Sequence, residues 1–178
     1  MTRTFSVKSP LQLVTAVTIV FMFLNTFMPL NFSPIEAEAT AYPFKLKITL
    51  EKTTYKPREL VNVTWILINI GEENITLYHS ADILFDFIVY DEDFLHVFRY
   101  RSEVGIPMIY LPFTPLPPSH NWTVTECWDQ TYDGSGDVIP ALWHKEVSPG
   151  IYYVTGFFSS STYRIKLQTP AIRITIGG

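Results

Sequence analysis

The sequence has little cysteine and no excess of positive charge. Cys127 is its single cysteine, which excludes an intramolecular disulfide framework and a zinc site built from cysteines. Its 13 lysine and arginine residues stand against 17 aspartate and glutamate residues, a formal net charge of −4. We therefore expect no basic surface for nucleic acid. No apolar pattern with a period of 3.6 residues follows position 42, so helices are not expected there.

Motifs that carry catalysis are also missing. The four histidines are scattered without a His-Glu-x-x-His spacing, and no Gly-x-Ser-x-Gly elbow occurs. Cys127 alternates within a predicted strand and has no neighbouring base, which predicts a buried thiol. We therefore predict that the protein is not an enzyme.

What the sequence does contain is aromatic residues, 15% of the chain, and 13 prolines. Eight short segments have strand-like patterns, and turn residues separate them. These segments are residues 44–51, 61–70, 75–78, 83–90, 97–100, 122–128, 151–158 and 172–176. Seven or eight such strands predict an all-β fold, an antiparallel immunoglobulin-like β-sandwich over residues 42–178.

The segment at residues 83–90 is apolar or aromatic at seven of its eight positions. This predicts a strand in the middle of a sheet, covered on both faces. Asp86 is the exception, and an unpaired carboxylate there would cost several kcal/mol. It could act as a catalytic acid with Asp91 or Asp93, but we favour a structural acceptor of hydrogen bonds.

The first 41 residues resemble a targeting segment. Arg3 and Lys8 precede an uncharged apolar stretch at residues 11–30, and Ala37-Glu38-Ala39 resembles a signal-peptidase site. We predict a signal peptide or, as the alternative, an N-terminal helix that anchors the chain in the membrane. Both alternatives place the rest of the chain outside the cytoplasm, secreted or at the cell surface. Three Asn-x-Thr sequons, at Asn62, Asn74 and Asn121, fit that location as glycosylation sites.

Oxygen-bearing residues alternate from Asp129 to Asp137, through Thr131, Asp133 and Ser135, with Gly134 at the sixth position. This spacing resembles the first part of a calcium-binding loop. The twelfth position, where such loops have glutamate, is Pro140, and no helices are predicted around it. The segment is therefore a weak Ca²⁺ candidate through Asp129, Asp133 and Asp137, or a solvated turn. No other cofactor is predicted.

The order of the motifs resembles the intracellular proteinase inhibitor (BsuPI) domain family over roughly residues 45–160. The motifs are Tyr55…Glu59, Asn69-Ile70-Gly71, Asp86-Phe87, Asp91…Phe98-Arg99, Trp128-Asp129-Gln130 and Pro149-Gly150-Ile151-Tyr152. Arg58 and Phe94 stand where the family usually has glycine. The resemblance implies an immunoglobulin-like fold, inhibition of a subtilisin-like serine protease, and structural roles for Asp86, Trp128 and Tyr152.

Five prolines between residues 103 and 119 argue against a sheet interior and predict a long loop or a sheet edge. Within it, Pro107 and Pro112 bracket Ile109, Tyr110 and Leu111, an apolar tripeptide suited to a protease cleft. Alternatively, these side chains cap the core. We predict a protein-binding module with this loop as its inhibitory segment. The alternative function is a structural or adhesion module at the cell surface, in contact with membrane only through an uncleaved N-terminus.

Overall fold

The computed structural model describes residues 35–77, 82–100, 114–134 and 139–177. These residues form twelve strands and one short 3₁₀ helix, Pro140–Leu142. The strands are β1 (Ile35–Ala41), β2 (Phe44–Leu50), β3 (Thr54–Tyr55), β4 (Val61–Asn69), β5 (Ile75–Leu77), β6 (Asp82–Tyr90), β7 (His96–Arg99), β8 (Thr114–Leu116), β9 (Asn121–Trp128), β10 (Gly150–Ser160), β11 (Ile165–Gln168) and β12 (Ile172–Ile176).

The strands form two main sheets and a small third one. The four-stranded sheet has the order β1-β2-β4-β9. The larger sheet has the order β3-β12-β10-β6-β7, with β11 also paired to β10, and β5 pairs with β8. Every pairing is antiparallel except that of β3 with β12. Over the described residues, the prediction of an all-β fold with antiparallel sheets is confirmed.

The core is built from every second residue of the strands, the residues whose side chains point inward. Inward side chains of β2 and β4, such as Leu46 and Trp65, are fully buried, whereas their neighbours in sequence are half-buried. Trp65 contacts Phe87 of the larger sheet, with ring centroids 5.2 Å apart. Phe44 contacts Phe158 at 5.0 Å. The two sheets therefore bury their inner faces against each other.

The two ends of the sandwich can be named by their residues. At the Asn69 end, Phe44 of β2 pairs with Asn69 of β4. At the Trp128 end, Val61 of β4 pairs with Trp128 of β9, which also contacts Tyr152 near the start of β10.

The predicted central strand is confirmed. β6 lies between β10 and β7, so it has a partner along each edge. Phe87 and Val89 are fully buried on its inner face. Asp86 points to the opposite face and is also fully buried.

The N-terminal part of the sandwich differs from the prediction. Residues 35–41, assigned to the targeting segment, form β1 and pair with the whole of β2. The predicted signal-peptidase motif therefore lies in a strand, and the sandwich begins ahead of the predicted boundary at residue 42. The apolar stretch at residues 11–30, on which the predicted N-terminal helix depends, lies outside the described part of the chain. Within the described part, no helix is long and apolar enough to cross a membrane.

The described residues form four strands beyond the eight predicted segments, namely β1, β3, β8 and β11. β3 and β8 have two and three residues, too few for a recognisable alternation.

Candidate functional site

Asp86 of β6 is held by an ion pair with the neighbouring strand, β7. Arg99 of β7 pairs in register with Ile88 of β6, beside Asp86. Its Nε donates to Asp86 Oδ2 at 2.7 Å, while the Arg99 side chain keeps 34% of its surface exposed. Trp65 Nε1 donates to the Asp86 carbonyl oxygen at 2.9 Å. The carboxylate therefore ties β7 to β6, and the Trp65 bond to the carbonyl ties β6 to the facing sheet.

Asp133 has a related role on the other edge of β7. Its carboxylate is fully buried, and Oδ2 accepts the backbone N–H of Arg99 at 2.9 Å. Its own backbone N–H donates to the Val97 carbonyl at 3.1 Å. His96 Nε2 lies 3.7 Å from the same oxygen. Asp133 thus fastens the chain after β9 onto β7.

The predicted calcium ligands Asp129 and Asp133 make different contacts in the structure. Asp129 is exposed, and its Oδ1 accepts from the backbone N–H and the hydroxyl of Thr131 at 3.1 and 2.6 Å. Asp133 accepts from β7, as described above, and Asp137 lies outside the described residues. In the described ranges, no group of three histidine, cysteine, aspartate or glutamate residues could hold a metal ion. The described carboxylates here bind protein donors and form no open oxygen cage.

The predicted inhibitory segment, Ile109, Tyr110 and Leu111, lies outside the described residues. The described chain on each side of residues 101–113 is held in the fold. Tyr100 stacks on Phe87, with centroids 5.7 Å apart and an interplanar angle of 16°. On the other side, β8 pairs with β5, and the Leu116 carbonyl accepts from Asn69 Nδ2 at 2.8 Å.

Two of the three sequons lie on one surface. Asn62 of β4 and Asn121 of β9 are both on the outer face of the four-stranded sheet. Asn62 Nδ2 donates to Glu51 Oε1 at 3.2 Å, and Asn121 Oδ1 accepts from the Thr123 hydroxyl at 3.2 Å. Asn74 is exposed in the turn before β5. All three asparagines therefore have side chains at or near the surface.

Trp128 and Tyr152 close the Trp128 end of the core. Their rings meet edge to face with centroids 5.6 Å apart. Trp128 Nε1 donates to the Thr131 carbonyl at 2.8 Å, and the Tyr152 hydroxyl donates to the Ser148 carbonyl at 2.6 Å. Burial raises the pKa of Tyr152 to about 12. Each ring thus packs in the core while its polar atom binds a loop carbonyl.

Two buried amides were missed by the sequence analysis as structural residues. Gln130 accepts the Arg58 backbone N–H at 2.8 Å and donates to the carbonyls of Lys56 and Glu59 at 2.9 and 2.7 Å. Asn69 accepts the N–H of Gly71 at 2.8 Å and donates to the Glu73 carbonyl. Each amide holds a turn, one at each end of the sandwich. Both amides belong to motifs of the BsuPI resemblance, Asn69-Ile70-Gly71 and Trp128-Asp129-Gln130, and this was the sequence signal that could have identified them.

Cys127 corrects one prediction. Its thiol is exposed, because it alternates onto the outer face of the four-stranded sheet and not into the core.

No protein-family model matches the sequence, and no curated protein is similar to it. Among solved structures, a β-glucosidase from Listeria innocua aligns at 14% identity and a TM-score of 0.45. That alignment covers 79% of this chain but only 17% of the enzyme, so the chain spans a small part of its length.

Two single domains of similar size also align. The C-terminal domain of wzt has 5% identity and a TM-score of 0.47, covering 83% of this chain and 80% of that domain. The CARDB domain of the PF1109 protein from Pyrococcus furiosus has 10% identity and a TM-score of 0.40, covering 84% and 94%.

Proposed function

We propose that this chain is an exported, non-catalytic protein-binding module with an immunoglobulin-like sandwich, of the kind found in BsuPI inhibitor domains. Its target class in this proposal is a subtilisin-like serine protease, and its binding segment is Ile109, Tyr110 and Leu111. The proposal rests first on the resemblance of the motifs and second on what the described residues of those motifs do.

The observation that best supports the resemblance is the backbone conformation at the two positions where this sequence departs from the family's pattern. Arg58 and Phe94, which stand where the family usually has glycine, have φ angles of 67° and 58°. Positive φ is the conformation for which glycine is favoured in a turn. Both turns therefore keep the backbone that the family's glycine suits, although the side chains differ. This supports shared turn geometry at two independent positions.

The surroundings of the binding segment support the proposal as well. A substrate-like inhibitor loses least entropy when its binding segment is held at both ends. Here the chain before the segment is fixed by the Asp86–Arg99 ion pair and by the Tyr100 stack. The chain after it is fixed by the β5–β8 pairing.

A direct test is inhibition of subtilisin cleaving a chromogenic peptide. We expect the wild-type chain to slow hydrolysis and the double substitution Tyr110→Gly/Leu111→Gly to remove the effect without lowering the thermal midpoint. The matched control is Glu72→Gly/Glu73→Gly, which places two glycines in an exposed turn and leaves inhibition intact.

Two outcomes would contradict the proposal. Absence of inhibition by the wild-type chain at high molar excess would favour the structural or adhesion module. Unfolding of the Tyr110→Gly/Leu111→Gly variant would indicate that these side chains cap the core.

A further inference from the structure

The turn between β6 and β7 holds two neighbouring apolar side chains in solvent. Phe94 and Leu95 each have 63% of their surface exposed. The Phe94 ring stacks on Tyr153 of β10, with centroids 4.7 Å apart and an interplanar angle of 16°. We call residues 91–95 together with Tyr153 the Phe94 surface. Its apolar part, Phe94, Leu95 and Tyr153, comes from two elements, the β6–β7 turn and β10.

Hydrogen bonds fix this turn. Asp91 Oδ1 accepts the backbone N–H groups of Asp93 and Leu95 at 3.0 and 2.8 Å. The Asp91 N–H donates to the Leu95 carbonyl at 3.0 Å, and the Phe94 N–H donates to the Asp91 carbonyl at 3.1 Å. The two apolar side chains are therefore presented in a defined arrangement, which limits the entropy lost when a partner binds.

Folding alone does not explain phenylalanine at position 94. Its φ of 58° is a conformation in which a bulky residue is strained and glycine or asparagine is favoured. The ring contributes little buried surface in return, because most of it faces solvent. An exposed aromatic ring on a rigid turn is the kind of side chain that anchors protein interfaces.

The charges around the patch select the partner. Glu92 and Asp93 are exposed beside Phe94, and Asp91 is half-buried. The three charged residues of the turn are all negative, and the exposed cation Arg173 pairs with Tyr153 on the β12 edge of β10, opposite β6. Such a surface attracts lysine and arginine and disfavours anionic lipid or nucleic acid.

We propose that the Phe94 surface docks a cationic protein segment, with Phe94 and Leu95 against its apolar side chains and Glu92 and Asp93 facing its lysines or arginines. The Phe94 surface lies between the end of β6 and the start of β7, at the Trp128 end of the sandwich. The chain that leads towards residue 101 leaves from the other end of β7. The inference goes beyond the proposed inhibitory segment and stands independently of it.

The test uses two labelled synthetic peptides, one alternating lysine and leucine and one alternating glutamate and leucine, with binding to the full chain followed by fluorescence anisotropy. We expect the lysine peptide to bind, with an affinity that falls as salt rises. We expect Phe94→Gly to weaken this binding about tenfold or more, as for an interface anchor. Glu92→Lys/Asp93→Lys should also abolish the preference for the lysine peptide.

Controls separate binding from folding. Phe94→Gly suits the left-handed backbone, so its thermal midpoint should stay near that of the wild type, and Leu95→Ser is a second variant if it does not. Ile70→Ser removes another exposed apolar side chain, 42% accessible and at the Asn69 end, and should leave binding unchanged.

The inference is overturned if both peptides bind equally, or if folded Phe94→Gly and Leu95→Ser bind the lysine peptide like the wild type. It is also overturned if the surface serves another occupant. That result would be a Phe94-dependent dimer in sedimentation, or Phe94-dependent binding to zwitterionic vesicles, without peptide binding. Inhibition of subtilisin should be unaffected by Phe94→Gly in every case, so this test and that of the proposed function fail separately.

Discussion

Single buried polar side chains decide how the strands and turns of this protein are joined. Asp86 and Asp133 are both fully buried, and both bind groups of Arg99, one its guanidinium and the other its backbone N–H. Gln130 holds the turn at residues 56–59 through three hydrogen bonds to its backbone. Burial removes a polar group from water, and hydrogen-bond partners offset the free-energy cost of this desolvation. Each buried polar group therefore also specifies which neighbouring residue must be present.

The Asp86–Arg99 pair gives a prediction at this scale. Asp86→Ala removes the carboxylate and leaves a half-buried guanidinium without that partner. We expect a loss of about 1–3 kcal/mol in the free energy of unfolding, measured by urea denaturation. A double-substitution cycle with Arg99→Ala should give a favourable coupling energy between the two side chains.

The matched control is an ion pair of similar length at the surface. Arg58 Nε lies 2.8 Å from Glu146 Oε1, but the two side chains are 77% and 55% exposed. The same cycle there should give at most about 1 kcal/mol. Equal coupling energies for the two pairs would contradict the structural role of Asp86.

At this scale, the sequence indicates which residue needs a partner but not which partner it has. A carboxylate in the apolar run at residues 83–90 must be satisfied, and that much follows from composition. Arg99 becomes the partner only through the β6–β7 register, which shifts at Tyr90. Alternating oxygen-bearing residues make Asp133 a weak Ca²⁺ candidate in the sequence, whereas the contact with the Arg99 N–H, 34 residues away in β7, appears only in the structure.

Among the elements, β10 has the widest set of contacts. Its eleven residues pair with β6 along one edge and with β12 and then β11 along the other. At its middle, Gly156 approaches β2 of the facing sheet. A Cβ at this position would lie 2.2 Å from Ile48 Cγ2. The close packing of the two sheets at this point therefore requires glycine.

Gly156→Ala tests this packing. We expect destabilisation of about 1–3 kcal/mol in urea unfolding, because the added methyl group overpacks the core. Ile48→Leu removes the methyl group on Cβ, so the double variant should recover part of the loss. Gly150→Ala is the control in the same strand, since its Cβ would meet nothing closer than 3.7 Å. Equal stability of Gly156→Ala and Gly150→Ala would contradict the contact.

Over the whole molecule, buried tyrosines link stability to alkaline pH. Burial raises the pKa of Tyr55 to about 12, with Glu51 and Glu59 adding to the effect, and burial does the same for Tyr152. In the unfolded chain these phenols have a pKa of about 10. The unfolded state therefore releases these protons first, and stability present below about pH 10 is lost as pH rises towards about 12.

We expect the free energy of unfolding to fall in this range by about 1.4 kcal/mol per pH unit for each of the two tyrosines. Urea unfolding at several pH values between 9 and 12, with tyrosinate absorbance as a second signal, measures it. The comparison is with Tyr55→Phe and Tyr152→Phe, each of which should make the decline shallower. Parallel declines in all three proteins would exclude the tyrosines as the cause.

The sequence by itself determined eight of the strands, because period-two alternation of apolar residues is a local pattern. It thereby determined the all-β antiparallel class, the central position of β6, and the need of Asp86 for a partner. The tertiary structure alone decided which strands are neighbours, that β1 belongs to the sandwich, and that Gln130 and Asn69 hold turns. It also decided that Phe94 is exposed and stacked on Tyr153. These features depend on contacts between residues far apart in the chain, and register and packing between sheets set those contacts.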